Sequence, residues 1–229
     1  MEHQADTKTP LTVQIKEDIT SRNNAQSEAL RQALKKRKIF YLNLMSSPGS
    51  GKTSLLTRLL ENLKGSYRIG VIEADIDSDV DARTIARTGV KTIQMHTAGA
   101  CHITCQMSRE ALEALGLEDL DVVILENIGN LVCPAEFDTG AACNLVLLSL
   151  PEGDDKPLKY PLMFQVASAV AVTKTDVAPV FDFSREKAAE NVRKRNPSAP
   201  VFFTSARTGE GVPALTEYLR EEIEKVKNA

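Results

Sequence analysis

The chain has 229 residues and a mass of 25.1 kDa, and its 42% hydrophobic content is enough for one large α/β domain. Its net charge is −3 and its basic residues are interspersed with acidic ones, which argues against nucleic acid as a partner. The sequence contains no run of about 18 apolar residues, and its first residues lack the order of a secretory signal. We therefore expect a cytoplasmic protein that binds neither nucleic acid nor membranes.

The N-terminal part of the sequence has two sections. Residues 1 to about 20 mix polar residues with a proline and show no sustained period, which predicts a flexible tail. From about residue 24 to residue 36, Leu30 and Leu34 lie four positions apart among good helix formers, as in an amphipathic helix. We assign the tail and this helix to residues 1–37 and expect the main domain to occupy residues 38–229.

From residue 38 onwards, short apolar runs alternate with helical patterns. Several of the runs are continuously apolar, as strands buried on both faces must be. The strand candidates are residues 39–45, 69–75, 91–96, 122–126, 144–150, 169–174 and 200–205. Helices are predicted at about residues 52–64, 78–88, 104–115, 183–195 and 212–227. The alternation predicts a three-layer α/β domain with a mostly parallel sheet of about seven strands.

The first strand leads through Ser-Ser-Pro-Gly-Ser-Gly-Lys-Thr into a helix, which is the context that a phosphate-binding loop requires. Lys52 is expected to neutralise the β and γ phosphates, and the hydroxyl of Thr53 to ligate Mg²⁺. Ser46 replaces the first glycine of the usual spacing, which serves the bend after the strand and not the phosphate contact. The alternative is a Gly-Ser linker before an ordinary helix. The expected phosphate-binding residues are Ser47, Pro48, Gly49, Ser50, Gly51, Lys52, Thr53 and Ser54.

Two later loops predict that the nucleotide carries guanine. Asp176 follows a strand in Thr-Lys-Thr-Asp, and guanine presents adjacent N–H donors that one carboxylate can accept together. Thr173 stands where GTPases of the phosphate-loop class carry Asn, which leaves the rigidity and affinity of this loop open. Taken alone, the segment is equally consistent with a capped loop, but a Ser-Ala pair like that of GTPases follows at the next strand end. The expected base-binding residues are Thr173, Lys174, Asp176, Ser205 and Ala206.

Carboxylates at the ends of two predicted strands are candidates for Mg²⁺ binding. Asp75 and Glu126 should face the crevice at the carboxyl ends of parallel strands, where the phosphates lie. With Thr53 they form the expected magnesium site, and with Lys52 the expected catalytic set. At least two of the three aspartates at alternating positions after Asp75 are interpreted as an acidic helix start. Because the Glu-Asn-Ile-Gly segment offers no glutamine to position water, we expect slow hydrolysis that dimerisation or a partner completes.

A second candidate metal site consists of Cys101, His102 and Cys133. Thiolate and imidazole ligands suit Zn²⁺ or Ni²⁺ rather than Mg²⁺. Three ligands from one chain leave the coordination to be completed by water or a second subunit. The alternative is that both cysteines are small buried residues and that His102 is a hydrogen-bonded loop histidine. Burial is the expected state of Cys105 and Cys143, with Cys105 as a reserve ligand.

Five segments together resemble the hydrogenase nickel-incorporation GTPases, accessory proteins that help load nickel into nickel–iron hydrogenase. The segments are SSPGSGKT, TAGACHI, ENIGNLVCPAEFDTG, LPEGDDKPLKYP and TSARTGEG, and the resemblance covers about residues 38 to 226. A serine at the head of the phosphate loop and the Glu-Asn-x-Gly segment are usual in this family, whereas Thr173 is a departure. The tail, which has His3 and no cysteine, is not expected to bind or store nickel tightly.

The resemblance implies a cytoplasmic P-loop GTPase that forms a homodimer with GTP and carries Ni²⁺ or Zn²⁺ on Cys101, His102 and Cys133. It also implies a small zinc-containing maturation protein as a partner and the hydrogenase large subunit as an indirect one. We expect GTP and Mg²⁺ to order the segments after Asp75 and Glu126, the second of which leads to Cys133. The nucleotide state would then change metal affinity and dimerisation.

Three alternatives compete with this hypothesis. Urease-type nickel GTPases carry Cys-Pro-His where this chain has Cys101 directly before His102. A small-molecule P-loop kinase is disfavoured by the two base loops. A nucleotide-gated binding protein that never hydrolyses GTP differs from a GTPase only in turnover.

Overall fold

The computed structural model describes residues 15–75, 80–97 and 99–229. Within these residues, the strands are β1 Phe40–Ser46, β2 Ile69–Asp75, β3 Lys91–His96, β4 Val122–Gly129, β5 Cys143–Ser149, β6 Ala169–Thr173 and β7 Val201–Phe203. They form one sheet in the order β3-β2-β4-β1-β5-β6-β7, and each neighbouring pair is parallel. The predicted α/β class with a mostly parallel sheet of about seven strands is confirmed.

The helices of the described ranges are α1 Ile15–Lys36, α2 Lys52–Leu63, α3 Val80–Ala86, α4 Cys105–Leu115, α5 Cys133–Glu136, α6 Lys156–Lys159, α7 Pro161–Gln165, α8 Arg185–Arg195 and α9 Val212–Lys227. Two 3-10 helices span Leu150–Glu152 and Thr175–Val180. The short helices α5, α6 and α7 were not predicted, because four or five residues are too few to show a helical period. None of the helices described is both long enough and apolar enough to cross a bilayer.

The sheet is covered on both faces. Along β1, Phe40, Leu42 and Leu44 belong to one core cluster with helices α2 and α9, whereas Tyr41 belongs to another with α1 and α4. This division follows from the strand period of two, which sends successive side chains to opposite faces. The three layers place the carboxyl ends of the central strands at one open edge, where the candidate site residues lie.

Helix α1 begins at Ile15, so the prediction of a tail to about residue 20 and a helix from about residue 24 was wrong in its boundary. The first turns carry mostly polar residues and therefore show no apolar period. Residues 1–14 of the predicted tail lie outside the described residues. Leu30 and Leu34 are buried in the cluster that contains α4 and the central strands. The division at residue 38 stays a prediction.

Strand β4 continues past Glu126 to Gly129, which corrects the predicted strand end. Leu44 pairs with Glu126 and Ser46 pairs with Gly129, so β4 has one extra residue in this interval, a β-bulge. The polar residues Glu126 and Asn127 resembled a loop in the sequence, yet each is only 1% exposed. The bulge brings the carboxyl end of β4 against the phosphate loop.

The turn between β7 and α9 depends on a glycine. Gly211 has φ +66°, and a Cβ atom there would lie 1.9 Å from the carbonyl oxygen of Phe203. We expect Gly211→Ala to lower the free energy of unfolding by about 3 kcal/mol, because backbone strain and a collision with main chain add together. The matched control is Gly209→Ala, at φ +83° with nothing within 4 Å of the new Cβ.

The control should lose only about 1 kcal/mol from the left-handed backbone conformation. Urea unfolding followed by circular dichroism measures both variants. Equal losses in the two variants would contradict the steric explanation.

Candidate nucleotide and metal site

The segment between β1 and α2 has the backbone of a phosphate-binding loop. Gly49 and Gly51 have φ values of +70° and +92°, which glycine adopts without the steric cost that a side chain would add. Helix α2 begins at Lys52, so its positive N-terminal end faces the loop. The expected phosphate-binding residues therefore lie together at the carboxyl end of β1, in the strand–loop–helix order predicted from the sequence.

Ser46 organises this loop from a fully buried position. Its hydroxyl accepts hydrogen bonds from the hydroxyl of Ser50 at 2.5 Å and from Nζ of Lys52 at 3.1 Å. It also donates to the carbonyl oxygen of Ser47 at 2.8 Å. The serine at the usual first-glycine position thus connects the start of the loop to the lysine at its end.

Buried carboxylates lie directly beneath the loop. Thr53 Oγ1 donates to Glu126 Oε1 at 2.7 Å. Glu73 on β2 pairs in register with Glu126 on β4, and the side chains are 2% and 1% exposed. The Oε2 atoms of both glutamates are buried and have no hydrogen-bond partner among the described residues. Such orphaned carboxylate oxygens fit the oxygen-ligand chemistry of a hard cation such as Mg²⁺.

Burial is the main cause of strong pKa shifts in this carboxylate pair. The pKa of Glu73 is raised to about 8, first by burial and next by the charge of Glu126. Burial likewise raises the pKa of Glu126 to about 7, although the hydrogen bond from Thr53 and the charge of Lys52 oppose the rise. Burial lowers the pKa of Lys52, and Glu126 is the largest opposing influence. The ionisation of Glu126 therefore affects the pKa values of both Glu73 and Lys52.

Asp81 joins the two glutamates at this position. One carboxylate oxygen from each of Glu73, Asp81 and Glu126 lies within 4.8 Å of the others. Asp75 ends β2, and its charge raises the pKa of both glutamates. The other two aspartates of the predicted acidic helix start lie at residues 77 and 79, outside the described residues. Sequence reasoning missed Glu73, because a lone glutamate inside an apolar strand gives no motif.

The first base loop is tied to the phosphate loop by two hydrogen bonds. Thr173 Oγ1 donates to the carbonyl oxygen of Ser50 at 2.7 Å. Lys174 has φ +61°, and its Nζ donates to the carbonyl oxygen of Gly49 at 2.6 Å. The Thr173 hydroxyl thus connects this loop to the phosphate loop beside Lys174, even though Thr173 lacks the amide that is usual at this position.

The second base loop meets the first at Asp176. Ser205 Oγ donates to Asp176 Oδ1 at 2.7 Å, and this hydrogen bond is the largest influence lowering the pKa of that carboxyl group. Arg207, 3.7 Å from Asp176 Oδ2, also favours the charged form. Ala206 lies beside them, and its carbonyl oxygen accepts from Nε of Arg58 at 2.8 Å. An ionised carboxylate is thus available to accept hydrogen bonds from a base.

A cavity of about 500 Å³ extends from the phosphate loop to these base loops. Its lining includes Gly51, Ser54, Lys174, Asp176 and Ala206, which were predicted from the sequence. It also includes residues that sequence reasoning missed, namely Thr57, Arg58, Thr84 and Arg207. Thr57, Arg58 and Thr84 lie at ordinary helix positions, and the Ser-Ala pair gives no role to the neighbouring Arg207, so only the packing of α2, α3 and the loops identifies them.

The structure brings Cys101, His102 and Cys133 close together without gathering all three ligand atoms at one point. Cys101 Sγ is 3.8 Å from Nδ1 of His102, and the neighbouring Cys133 thiol raises the pKa of Cys101. The His102 ring is stacked on Phe137, with centroids 3.9 Å apart. Among the described residues, only Glu73, Asp81 and Glu126 place three such atoms within 4.8 Å of one another. Cys105 and Cys143 are both buried, as expected.

Contacts after Glu126 connect the two candidate sites. A Cβ atom on Gly129 would lie 3.0 Å from the backbone of Pro48, so β4 touches the phosphate loop at that glycine. Asn130 Nδ2 donates to the carbonyl oxygen of Cys101 at 3.3 Å, and its Oδ1 accepts from the backbone N–H of Val132 at 2.9 Å. The segment that leads to the metal-ligand candidate Cys133 is thus in contact with both sites.

Comparisons with known proteins place this geometry in a family. The protein-family model of the "CobW/HypB/UreG, nucleotide-binding domain" matches residues 40–203. The chain belongs to this family. The hydrogenase maturation factor HypB of Rhizobium leguminosarum bv. viciae is 43% identical over 207 residues, which are 90% of this chain and 69% of that protein. Similarity of this extent to a hydrogenase maturation factor means that the urease-type alternative is not favoured.

Two solved HypB structures have the same fold. That of HypB from Helicobacter pylori in complex with nickel has a TM-score of 0.83 and 38% identity, covering 89% of this chain and 96% of the other. That of HypB from Archaeoglobus fulgidus has a TM-score of 0.82 and 31% identity, covering 89% and 99%. This HypB-family chain is therefore a nucleotide-binding protein of the P-loop NTPase fold.

The raised pKa of Glu73 predicts a pH dependence of stability in this HypB-family chain. Between its ordinary value of 4.5 and about 8, the unfolded chain has released the Glu73 proton while the folded chain retains it. Raising the pH through this window therefore favours unfolding. We expect Glu73→Gln, which removes the titration, to raise the free energy of unfolding at pH 8 by about 2 kcal/mol relative to wild type.

The gain should almost vanish near pH 4.5, where Glu73 is protonated in the folded wild type and about half protonated in the unfolded chain. Urea titrations of nucleotide-free protein in chelator at both pH values measure it. The exposed Glu113→Gln on α4 is the control and should change stability equally little at both pH values. A pH-independent effect of Glu73→Gln would contradict the assignment.

Proposed function

We propose that this protein is a metal-binding GTPase that couples GTP binding and slow hydrolysis to nickel delivery during nickel–iron hydrogenase maturation. The observation that carries the proposal is the contact of β4 with both sites. Glu126 on this strand binds Thr53 of the phosphate loop, and Asn130 just beyond it holds the Cys101 carbonyl. A change at the phosphates can therefore reach the metal-ligand candidates through one continuous segment.

The nucleotide is GTP or GDP, bound by the predicted phosphate-loop and base-loop residues. The depressed pKa of Asp176 supports a carboxylate that accepts the paired N–H donors of guanine. Ala206 supplies a backbone N–H for the base oxygen. The hydrogen bond from Thr173 to the Ser50 carbonyl supports a base loop held in register with the phosphates.

Thr53, Asp75 and Glu126 are the proposed Mg²⁺ ligands, with Glu73 and Asp81 as further carboxylates beside them. The buried oxygens of the two glutamates, which have no partner in the described part of the chain, support this assignment. Bound Mg²⁺ would neutralise charge that develops on the transferred phosphoryl group. Lys52 orients the same phosphate group, and the absence of a water-positioning glutamine from the Glu-Asn-Ile-Gly segment supports slow intrinsic hydrolysis.

The cargo is Ni²⁺, or Zn²⁺ in its place, carried by Cys101, His102 and Cys133. The proximity of these side chains supports a site that a modest movement completes. Because one chain offers three ligands, we propose that a GTP-dependent homodimer completes and releases the site. A small zinc-containing maturation protein in the cytoplasm is the proposed partner, and the hydrogenase large subunit is served indirectly.

Guanine selectivity is tested at Asp176. Asp176→Asn should weaken GDP binding about 10- to 100-fold, because it removes charge-assisted hydrogen bonds to the base. The amide can instead donate to the O2 atom of xanthine, so xanthosine diphosphate should bind more tightly than GDP. Fluorescence competition titrations measure both nucleotides. Retained preference for GDP would refute the assignment of the base loop.

The coupling of nucleotide to metal is tested by titrating Ni²⁺ and Zn²⁺ into protein loaded with GDP or with a non-hydrolysable GTP analogue. We expect the metal affinity to differ about tenfold between the two nucleotides, a typical coupling between sites. Cys133→Ala should abolish the difference, whereas Cys143→Ala, which alters a buried cysteine at the start of β5, should retain it.

Oligomer mass measured in the same samples tests the proposed dimer. Equal metal affinity and equal mass with both nucleotides in the wild type would refute the switch.

A further inference from the structure

Helix α1 presents a row of polar side chains to the domain. Asn23, Ser27 and Arg31 are spaced four residues apart and therefore lie on one side of the helix. Asn23 is 5% exposed and Ser27 is fully buried. Buried polar side chains are costly unless they are hydrogen-bonded, so the partners of this row indicate what the helix holds in place.

Asn23 connects two segments that are distant in sequence. Its Oδ1 accepts from the backbone N–H of Cys105 at 2.9 Å, at the start of α4, three residues after His102. Its Nδ2 donates to the carbonyl oxygen of Asp138 at 2.8 Å, five residues after Cys133. One side chain thus holds both the loop that carries Cys101 and His102 and the segment that carries Cys133.

Ser27 and Arg31 hold the second of these segments more firmly. Ser27 Oγ donates to the same Asp138 carbonyl oxygen at 2.6 Å. Arg31 Nη2 donates to both carboxylate oxygens of Asp138, at 2.9 and 2.7 Å, and its Nε donates to the Ala141 carbonyl oxygen at 2.9 Å. Gly140 has φ +82°, and a Cβ atom there would lie only 2.8 Å from a methyl group of Leu30, so α1 packs closely on this segment.

The segment from Asn130 to Asp138 is therefore hydrogen-bonded at both ends. Asn130 connects its beginning to the Cys101 carbonyl and to β4, on the side of the nucleotide site. Asn23 connects its end to the start of α4. Between these two points, His102 stacks on Phe137, the neighbour of Asp138. If β4 moved, the Asn130 end of the segment would move with it, whereas α1 would hold the Asp138 end in place.

We propose that Asn23 is a positioning residue for the metal site, which sets the distance between the Cys101–His102 loop and the Cys133 segment. The inference rests on the proposed function, because it assumes that these three side chains bind the metal. Its amide group is bonded to the backbone of Cys105 and Asp138, so the proposed role is to position the ligands and not to be one. Helix α1, which the sequence assigned to a lead-in region outside the main domain, is on this inference part of the scaffold of the metal site.

The test is a titration of Ni²⁺ and of Zn²⁺, against a competing chelator, into the full chain loaded with GDP. Asn23→Ala should lower metal affinity about tenfold, as the loss of outer residues that orient metal ligands typically does. GDP affinity should change less than about twofold, because the contacts of Asn23 lie on the metal-ligand segments and not on the nucleotide loops. Asn24→Ala is the matched control, an exposed asparagine on the same helix, and should leave both affinities unchanged.

Repeating the substitution in Cys133→Ala separates positioning from general destabilisation. With Cys133 removed, the remaining ligands come from one loop, so Asn23→Ala should have no further effect on metal affinity. A tenfold loss in this background too, or an unchanged metal affinity in the Asn23→Ala protein, would overturn the proposal.

Should Asn23→Ala fail to fold, Ser27→Ala removes one of the two donors to the Asp138 carbonyl and should lower metal affinity about threefold. Unchanged affinity in that variant would overturn the proposal as well.

Failure of the proposed function gives a different result. If Cys101→Ala binds both metals as wild type does, the three side chains are not the ligands and both proposals are overturned. If Cys101→Ala loses binding but Asn23→Ala does not, the metal site stands and the positioning role of Asn23 alone is rejected.

Discussion

The hydrogen bond between Thr53 and Glu126 joins the phosphate loop to β4, and much of the site depends on it. Because β4 lies between β1 and β2, its carboxylate is buried beside Glu73 and below the loop. Burial makes charge on this pair costly, so the arrangement is electrostatically incomplete by itself. A bound cation would supply the positive charge that stabilises the ionised carboxylates. Phosphates would in turn supply negative charge that balances the cation and Lys52. The proposed nucleotide site therefore has a physical reason to be more stable when it is filled.

The same strand, β4, connects the phosphate loop to the metal-ligand candidates in the proposed switch. Beyond Glu126 the β-bulge shifts the register so that Gly129 touches Pro48, and Asn130 then binds the loop of Cys101. In the proposed switch, phosphate contacts would act on one end of this segment, whereas α1 holds the other end at Asp138. A segment held at one end and moved at the other can change the spacing of metal ligands without unfolding. The two proposals thus concern the two ends of one segment: the nucleotide acts at its β4 end, and Asn23 holds its end at Asp138.

Local patterns predicted much of the fold and of the candidate site. The strand positions followed from apolar runs, and the phosphate loop and base loops followed from short motifs whose glycines, lysines and carboxylates have direct chemical roles. Other features were invisible to such reasoning. Glu73 lies alone in an apolar strand, and Arg58 and Thr84 lie at ordinary helix positions. Asn23 in α1 is a polar residue whose burial depends on partners more than 80 residues away.

The sequence by itself determined the α/β class, the order of the elements and the identity of the phosphate, base and metal-ligand candidates. These properties depend on periodicity and on motifs within a few neighbouring residues. Only the tertiary structure decided that Ser46 holds Lys52, that Thr173 and Lys174 tie the base loop to the phosphate loop, and that Glu73 lies beside Glu126. It also decided that α1 connects the two segments that carry the metal-ligand candidates. Such contacts join residues distant in sequence, and their energies depend on burial, which a local pattern does not specify.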